Sequence, residues 1–180
     1  MDILTERLCL IPIEKTHACS IARYFDCDTV KYMSPPAVES LEQAEKIIDG
    51  FIARKEKGTD YVYAVTLKTD GEFLGVAGLH NLCTAPEAGV WIKSGARKNG
   101  YGKEAVGGIL ASAMNSGIEE VIYPVDRRNE ASKKIALFYG GKFCGRHEEK
   151  TPDGRTLYIE KYIIDLKEKR SCFKERFFNL

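Results

Sequence analysis

Neither sign of charge dominates these 180 residues. Lys and Arg number 27 against 26 Asp and Glu, a net charge of +1, which excludes the basic excess of a dedicated nucleic-acid binder and makes any anion site local. No run approaches the roughly 18 apolar residues of a membrane span, and no positively charged segment followed by an apolar stretch opens the chain. A cytoplasmic protein without membrane contact is the expectation. C-x-x-C pairs are missing too: the six cysteines, at 9, 19, 27, 83, 144 and 172, are scattered. A chain with 44% hydrophobic residues needs no disulfide framework, so reduced, mostly buried thiols are expected. The three histidines, His17, His80 and His147, lie far apart without finger-like spacing, and no metal is expected. Length and apolar content suit one domain over 1–180, a monomer or a homodimer.

What is present concentrates in Pro86 to Ala113, PEAGVWIKSGARKNGYGKEAVGGILASA. Glu87 to Ile92 carries the β-branched and aromatic residues of a strand, and Ala105, Val106, Ile109, Leu110, Ala113 and Met114 recur at helical spacing. Between them lies Arg97-Lys98-Asn99-Gly100-Tyr101-Gly102-Lys103. With no side chain at Gly100 or Gly102, backbone N–H groups can approach an anion closely, and a helix N-terminus with three neighbouring cations favours negative charge. The turn suits a pyrophosphate. A solvated loop, with glycines for tight turning and basic residues for solubility, uses the same residues. A P-loop does not fit, because Tyr101 stands where its lysine is required. Gly100 to Ala105 also spells G-x-G-x-x-A, with Asp126 placed as a ribose-binding acid. A dinucleotide fingerprint, however, follows its strand directly, and here seven mostly polar residues intervene.

Around this stretch strand and helix patterns alternate. Thr5 to Ile13 reads as a first strand at or near a sheet edge, interrupted at Pro12, followed by a short helix from about Glu14 to Phe25. Ser40 and Gln43 form a capping box for a helix that ends near Lys57-Gly58. Asp60 to Lys68 and Glu72 to Asn81 flank an Asp-Gly turn, a hairpin that continues into the Glu87 strand as a meander. A helix over 102–116, a strand from Glu120 to Asp126, a helix from Asn129 to about Tyr139, and a hairpin of Lys142 to Lys150 with Arg155 to Leu166 complete the pattern. The fold class is α+β: a mixed, mostly antiparallel curved sheet with about four helices and one parallel β-α-β crossover around 87–126. Residues 167–180 form a possible tail, docked as a helix or loose.

The R-x-x-G-x-G of Arg97 to Gly102, opening into a helix, resembles the acetyl-CoA pyrophosphate loop of the GNAT superfamily of N-acetyltransferases. Upstream, Glu87-Ala88-Gly89-Val90-Trp91-Ile92 is similar to the E-x-G-Y-W-I strand of the branch typified by the Rim ribosomal-protein N-terminal acetyltransferases. Thr5-Glu6-Arg7-Leu8-Cys9-Leu10 is similar to its opening T-E-R-L-x-L, and Asn129-Glu130-Ala131-Ser132 resembles the N-x-x-S that starts the family's last helix. The ordered set covers roughly residues 5 to 165.

The resemblance implies a GNAT-like fold and acetyl-CoA as cofactor. It places the pantetheine along the backbone of Val90, Trp91 and Ile92, on a strand splayed from its parallel neighbour. The phosphates fall to Arg97, Lys98, Asn99, Gly100, Tyr101, Gly102 and Lys103, and further cofactor contacts to Asn129, Ser132 and Lys133. The implied reaction moves an acetyl group to a primary amine of a small molecule or peptide, and the Rim-like branch points to a protein N-terminal amine. Gly89 would tolerate a bulge or a close approach. Glu87 is the candidate general base, acting through a water; a plain surface glutamate at a strand start is the alternative. Ser132 would reach the thiol, although Asn129 as an N-cap and Ser132 as helix filler use the same residues. Relatives carry a tyrosine acid seven residues beyond the asparagine, where this chain has Ala136, so Ser132 takes that role with Tyr139 as a weaker substitute. His80 offers a second base, against a structural use of a lone histidine at a strand end. Two other functions compete: a non-catalytic CoA-binding or sensing module, and a dinucleotide-dependent oxidoreductase.

Overall fold

Leu8 and Leu10 are fully buried while Cys9, between them, faces the other way, the period of two that a half-covered strand requires. The same alternation builds one sheet. The computed structural model describes residues 1–167, and apart from Lys167 the expected tail lies outside them. Eight strands occur among the described residues: β1 (Ile3–Leu4), β2 (Leu8–Pro12), β3 (Tyr61–Leu67), β4 (Phe73–His80), β5 (Glu87–Ile92), β6 (Glu120–Asp126), β7 (Lys142–Lys150) and β8 (Thr156–Asp165). Their order is β1-β2-β3-β4-β5-β6-β8-β7, antiparallel throughout except for the parallel β5–β6 pair. The crossover between those two strands is the helix α4 (Tyr101–Asn115). Four other α-helices are α1 (Ala18–Tyr24), α2 (Cys27–Val30), α3 (Leu41–Glu56) and α5 (Glu130–Phe138).

The sheet separates two cores. On one face α4 packs its nearly wholly buried surface, from Ala105 to Met114, against Leu8, Leu10, Val65, Ala77 and Leu79, and Ile135 of α5 joins them. On the other face Ile21, Phe25 and Ile48, from α1, α3 and the turn after α1, cover Val62, Ala64 and Val76, with Trp91 packed beside them. Neighbours in sequence therefore point to opposite cores: Val90 and Ile92 toward α4, Trp91 toward α1 and α3.

Local signals mark most element boundaries. Ser40 Oγ accepts from the Gln43 backbone N–H at 3.2 Å, but the Gln43 amide oxygen takes the Glu39 N–H at 2.8 Å, so the reciprocal half of the expected box is displaced by one residue. The Asp-Gly hairpin joins β3 to β4, with Gly71 at φ 75. Three expectations are corrected. Four of the five described cysteines are exposed and Cys9 is half-buried, because they sit on turns and outer faces rather than in either core. The helix expected from Glu14 divides into a 3-10 turn, Lys15–His17, and α1. The four-residue α2 carries no hydrophobic period from which it could be read. At Gly89, where a bulge or a close approach would be tolerated, β5 pairs regularly with Gly78.

Candidate active site

The basic turn opens α4 with no side-chain cap. Gly100 stands at the N-cap with φ 82, and nothing but backbone occupies the position where a serine or aspartate oxygen usually meets the first N–H groups. The amides of the first helical turn, together with the helix dipole, are left for an anion. The cations around the turn are unequal in this respect. Arg97 turns inward: its Nε donates to the Ile92 carbonyl at 2.9 Å, and its two terminal nitrogens reach Asp28 at 2.5 Å and Thr29 Oγ1 at 3.0 Å. It fixes the loop and α2, whereas Lys98, at φ 66, is exposed on the turn. Asn99 donates to the Ala96 and Arg97 carbonyls, which shapes the turn from within. Lys103 extends over the Phe138 ring, 4.4 Å from its centroid.

The opening T-E-R-L acquires a physical task here. Thr5 is fully buried, and its hydroxyl donates to Glu104 Oε1 at 2.6 Å; the Arg7 backbone N–H reaches the same oxygen at 2.7 Å, and the Arg7 guanidinium holds Oε2 at 2.7 Å. Arg7 also donates to the Asn99 carbonyl at 3.1 Å and lies over the Tyr101 ring at 4.6 Å. Burial pushes the Glu104 carboxyl up, but the bonds from Thr5 and Arg7 outweigh it and hold the group below its ordinary range. The start of the chain thus grips the first turn of α4.

Beside that turn, β5 and β6 part. Their pairing is confined to Glu87 opposite Ile122, with the Ile122 N–H on the Pro86 carbonyl at 2.8 Å. Beyond it the two strands diverge, and a cleft of about 460 Å³ opens between Glu87 to Trp91 on one side and Tyr123 to Asp126 on the other. Asn129 and Ser132 line it from α5, and Phe25, Tyr32, Met33 and Phe51 cover the side facing α1 and α3. The covering loop is tied down: Arg155 donates to the carbonyls of Val30 and Pro35 at 2.7 and 3.2 Å, and Ser34 bonds Glu149. Arg97 and Arg155 therefore pin α2 and the following loop from two sides.

Glu87, Asn129 and Ser132 come together in this cleft, along with Val90 and Trp91, whereas Ile92 and the turn from Arg97 to Lys103 are not part of its lining. The Glu87 carboxylate contacts Lys161 Nζ at 3.5 Å and the Asn81 amide at 3.4 Å. Asn129 is the N-cap of α5 and accepts the Ser132 N–H at 3.1 Å, so capping and cleft lining coincide in one residue. Sequence reasoning passed over Tyr123. It is almost fully buried, lines the cleft, and its hydroxyl lies 3.0 Å from Ser132 Oγ; burial pushes its phenol up to about 12. Its alternation with Val121 and Val125 made it look like core alone. Tyr139 lies elsewhere: its hydroxyl donates to the Lys103 carbonyl at 2.8 Å, and it borders a separate hollow with Arg7, Gly100 and Phe138. Lys133 pairs with Glu160 at 2.7 Å.

A family model for the acetyltransferase (GNAT) domain matches residues 7–142. The chain belongs to the GNAT acetyltransferase family. GNAT enzymes draw on acetyl-CoA, and the fold here matches theirs. A RimL ribosomal L7/L12 α-N-protein acetyltransferase in complex with coenzyme A superposes with a TM-score of 0.80 at 17% identity, over 92% of this chain and 98% of the other. A Salmonella typhimurium acetyltransferase described as modifying the N-terminal serine of ribosomal protein L7/L12 gives 0.77 at 16% identity, over 92% and 99%. A GNAT-family acetyltransferase from Bacillus anthracis gives 0.79 at 20% identity, over 93% and 99%. No curated protein matches the chain.

The turn packs close to both β5 and α5 at Gly102. A methyl group on Gly102 would stand 3.5 Å from Ile92 and 3.6 Å from Ile135, the side chains that border the gap between β5 and α5 at the foot of the turn. The dinucleotide alternative loses its acid: the Asp126 side chain is fully buried and accepts from the backbone N–H groups of Arg128 and Tyr158 and from the Arg128 guanidinium, with no oxygen directed at a ribose. Those bonds hold the Asp126 carboxyl low against a burial that raises it.

Proposed function

We propose that this chain transfers the acetyl group of acetyl-CoA to the α-amine of a protein or peptide N-terminus. The observation that carries the proposal is the parting of β5 from β6, with the end of β5 at Ile92 in contact range of Gly102 in the uncapped turn. In that arrangement the Gly100 to Lys103 amides and Lys98 would hold phosphates, the backbone of Val90, Trp91 and Ile92 would pair with an extended chain as a further strand would, and Asn129 and Ser132 would meet it across the gap. Lys103 and Tyr101 flank the phosphates, while Arg97 and Asn99 keep the turn in shape. When bound, acetyl-CoA supplies a thioester carbonyl open to attack and a sulfur that leaves.

The remaining chemistry belongs to the chain's side chains. Glu87, at the mouth of the cleft, draws in the acceptor's ammonium and offsets its charge. The Tyr123–Ser132 pair supplies hydroxyl hydrogen bonds. A phenol that keeps its proton to about 12 does not surrender it to a thiolate, whose conjugate acid lies at about 8.5 in an unperturbed cysteine. The pair therefore stabilises developing negative charge as a hydrogen-bond donor rather than as an acid. A peptide acceptor is supported by the named activities of the RimL-type structural neighbours and by the apolar side of the cleft, where Phe25, Met33 and Phe51 can seat a side chain. The unpaired thiols of the five described cysteines support a reducing, cytoplasmic setting. Incubating the protein with acetyl-CoA and a panel of peptides, polyamines, amino acids and aminoglycosides, with thiol release as readout, tests the reading. Peptides with free N-termini are expected to turn over fastest, and an exclusive preference for a small amine would overturn the acceptor assignment.

A further inference from the structure

Two glycines face each other across β4 and β5, Gly78 opposite Gly89, and the flanking pairs on the same face of the sheet, two positions away in each direction, are Val76–Trp91 and His80–Glu87. Directly opposed residues project to the same face of a sheet, so this face carries a gap in its side-chain cover between Trp91 and the His80–Glu87 pair. His80 leans into that gap. A methyl group on Gly78 would lie 3.3 Å from His80 Nε2, and one on Gly89 would lie 3.8 Å from the same atom. The two glycines, His80 and Glu87 all border the cleft. The other ring nitrogen, Nδ1, is 2.7 Å from Asp60 Oδ1, and that carboxylate is itself 93% buried and 3.3 Å from Arg54 Nε.

We propose that His80, oriented by Asp60, is the general base that takes the acceptor's proton. This rests on the acetyltransferase reading above. Burial raises the Asp60 carboxyl, but the bonds from His80 and Thr59 and the Arg54 charge more than offset it and keep the group ionised. An ionised carboxylate only accepts, so the proton in the contact belongs to Nδ1, and the lone pair of the neutral ring is left on Nε2, toward the cleft. The imidazole is the side chain whose proton affinity is matched to neutral pH, as a general base requires. Glu87 stands next to it in register and holds the incoming ammonium while Nε2 receives one proton, which is later released to solvent. The nitrogen lone pair so exposed forms the C–N bond as the C–S bond breaks, and the second proton lost by nitrogen goes to the departing sulfur.

The dyad is tested first without cofactor, by long-range ¹⁵N–¹H correlation on the ring of His80. The proposal expects the Nδ1–H tautomer, and its loss in Asp60→Asn. A ring protonated on Nε2 when neutral would overturn it. Kinetics then test the role. His80→Gln should lower kcat on the order of 10²-fold while leaving CoA affinity unchanged and the protein folded, and imidazole should restore part of the rate of His80→Ala. If wild-type enzyme acetylates a peptide and His80→Gln does so at the same kcat, the base assignment fails while the acetyltransferase reading stands. If the wild type acetylates no amine, the reading itself fails, and the base with it.

Discussion

Glu87 and Tyr123 share the cleft but act on opposite ends of the reaction, and their substitutions separate in kinetics. Glu87→Gln removes a charge that already balances Lys161 at 3.5 Å. The account expects the KM for the amine to rise most below the α-amine's pKa of about 8, where the acceptor arrives as an ammonium, with kcat at saturating amine little changed. A loss of kcat on the order of 10²-fold with KM unchanged would return the base role to Glu87. Tyr123→Phe leaves Ser132 without its 3.0 Å partner; one neutral hydrogen bond lost at the transition state is worth about tenfold in kcat, with KM for acetyl-CoA little changed. Neither Tyr123 nor the Asp60–His80 pair could be read from the chain. Tyr123 alternates like any buried strand residue, and Asp60 and His80 meet only through the pairing of β3 with β4, whose register brings together residues 20 apart.

At the scale of elements, what could be read was whatever has a local cause. Ser40, the Asp-Gly turn and Asn129 each act within a few residues, and the element boundaries they predict are found within one or two positions. The helix α2 has no such cause: it is held by Arg97 and Arg155, which reach it from 68 and 125 residues away. The T-E-R-L opening was legible as a pattern, but its purpose was not, because Glu104 sits 97 residues from Arg7. That network yields a stability prediction. Glu104→Gln should cost about 1.5–3 kcal/mol, the range for hydrogen bonds to a charged group, measured by urea unfolding at neutral pH. The native carboxyl titrates below its unfolded value, so the contribution is fully present above the ordinary carboxylate range and disappears as pH falls through the native pKa. Wild type and Glu104→Gln should therefore converge in stability under acid, and a gap that persists there would show that the charge is not its source.

For the whole molecule, one topological irregularity organises the rest: a sheet of antiparallel neighbours contains a single parallel pair, and that pair comes apart after one position. The crossover helix that the pair requires begins at the uncapped glycine turn, so the opening between strands and the anion site arise from the same piece of topology. A ligand that bridges both should stabilise the native state as a unit. At a hundred times its Kd, acetyl-CoA should add about 2.7 kcal/mol and raise the melting temperature, and NAD at the same concentration should not. Gly102→Val adds a branched side chain at a position whose Cβ already stands 3.5 Å from Ile92 and 3.6 Å from Ile135, and should abolish the CoA-dependent rise while the free protein still unfolds in one transition. The central claim is that coenzyme A lies from the Gly100 turn down the parted edge of β5, and amide chemical-shift mapping during a CoA titration tests it most directly. The account predicts that the largest changes fall on Gly100 to Lys103, on Gly89 to Ile92 and on Asn129 to Ser132, and changes confined to other surfaces, with these amides unmoved at saturation, would contradict it.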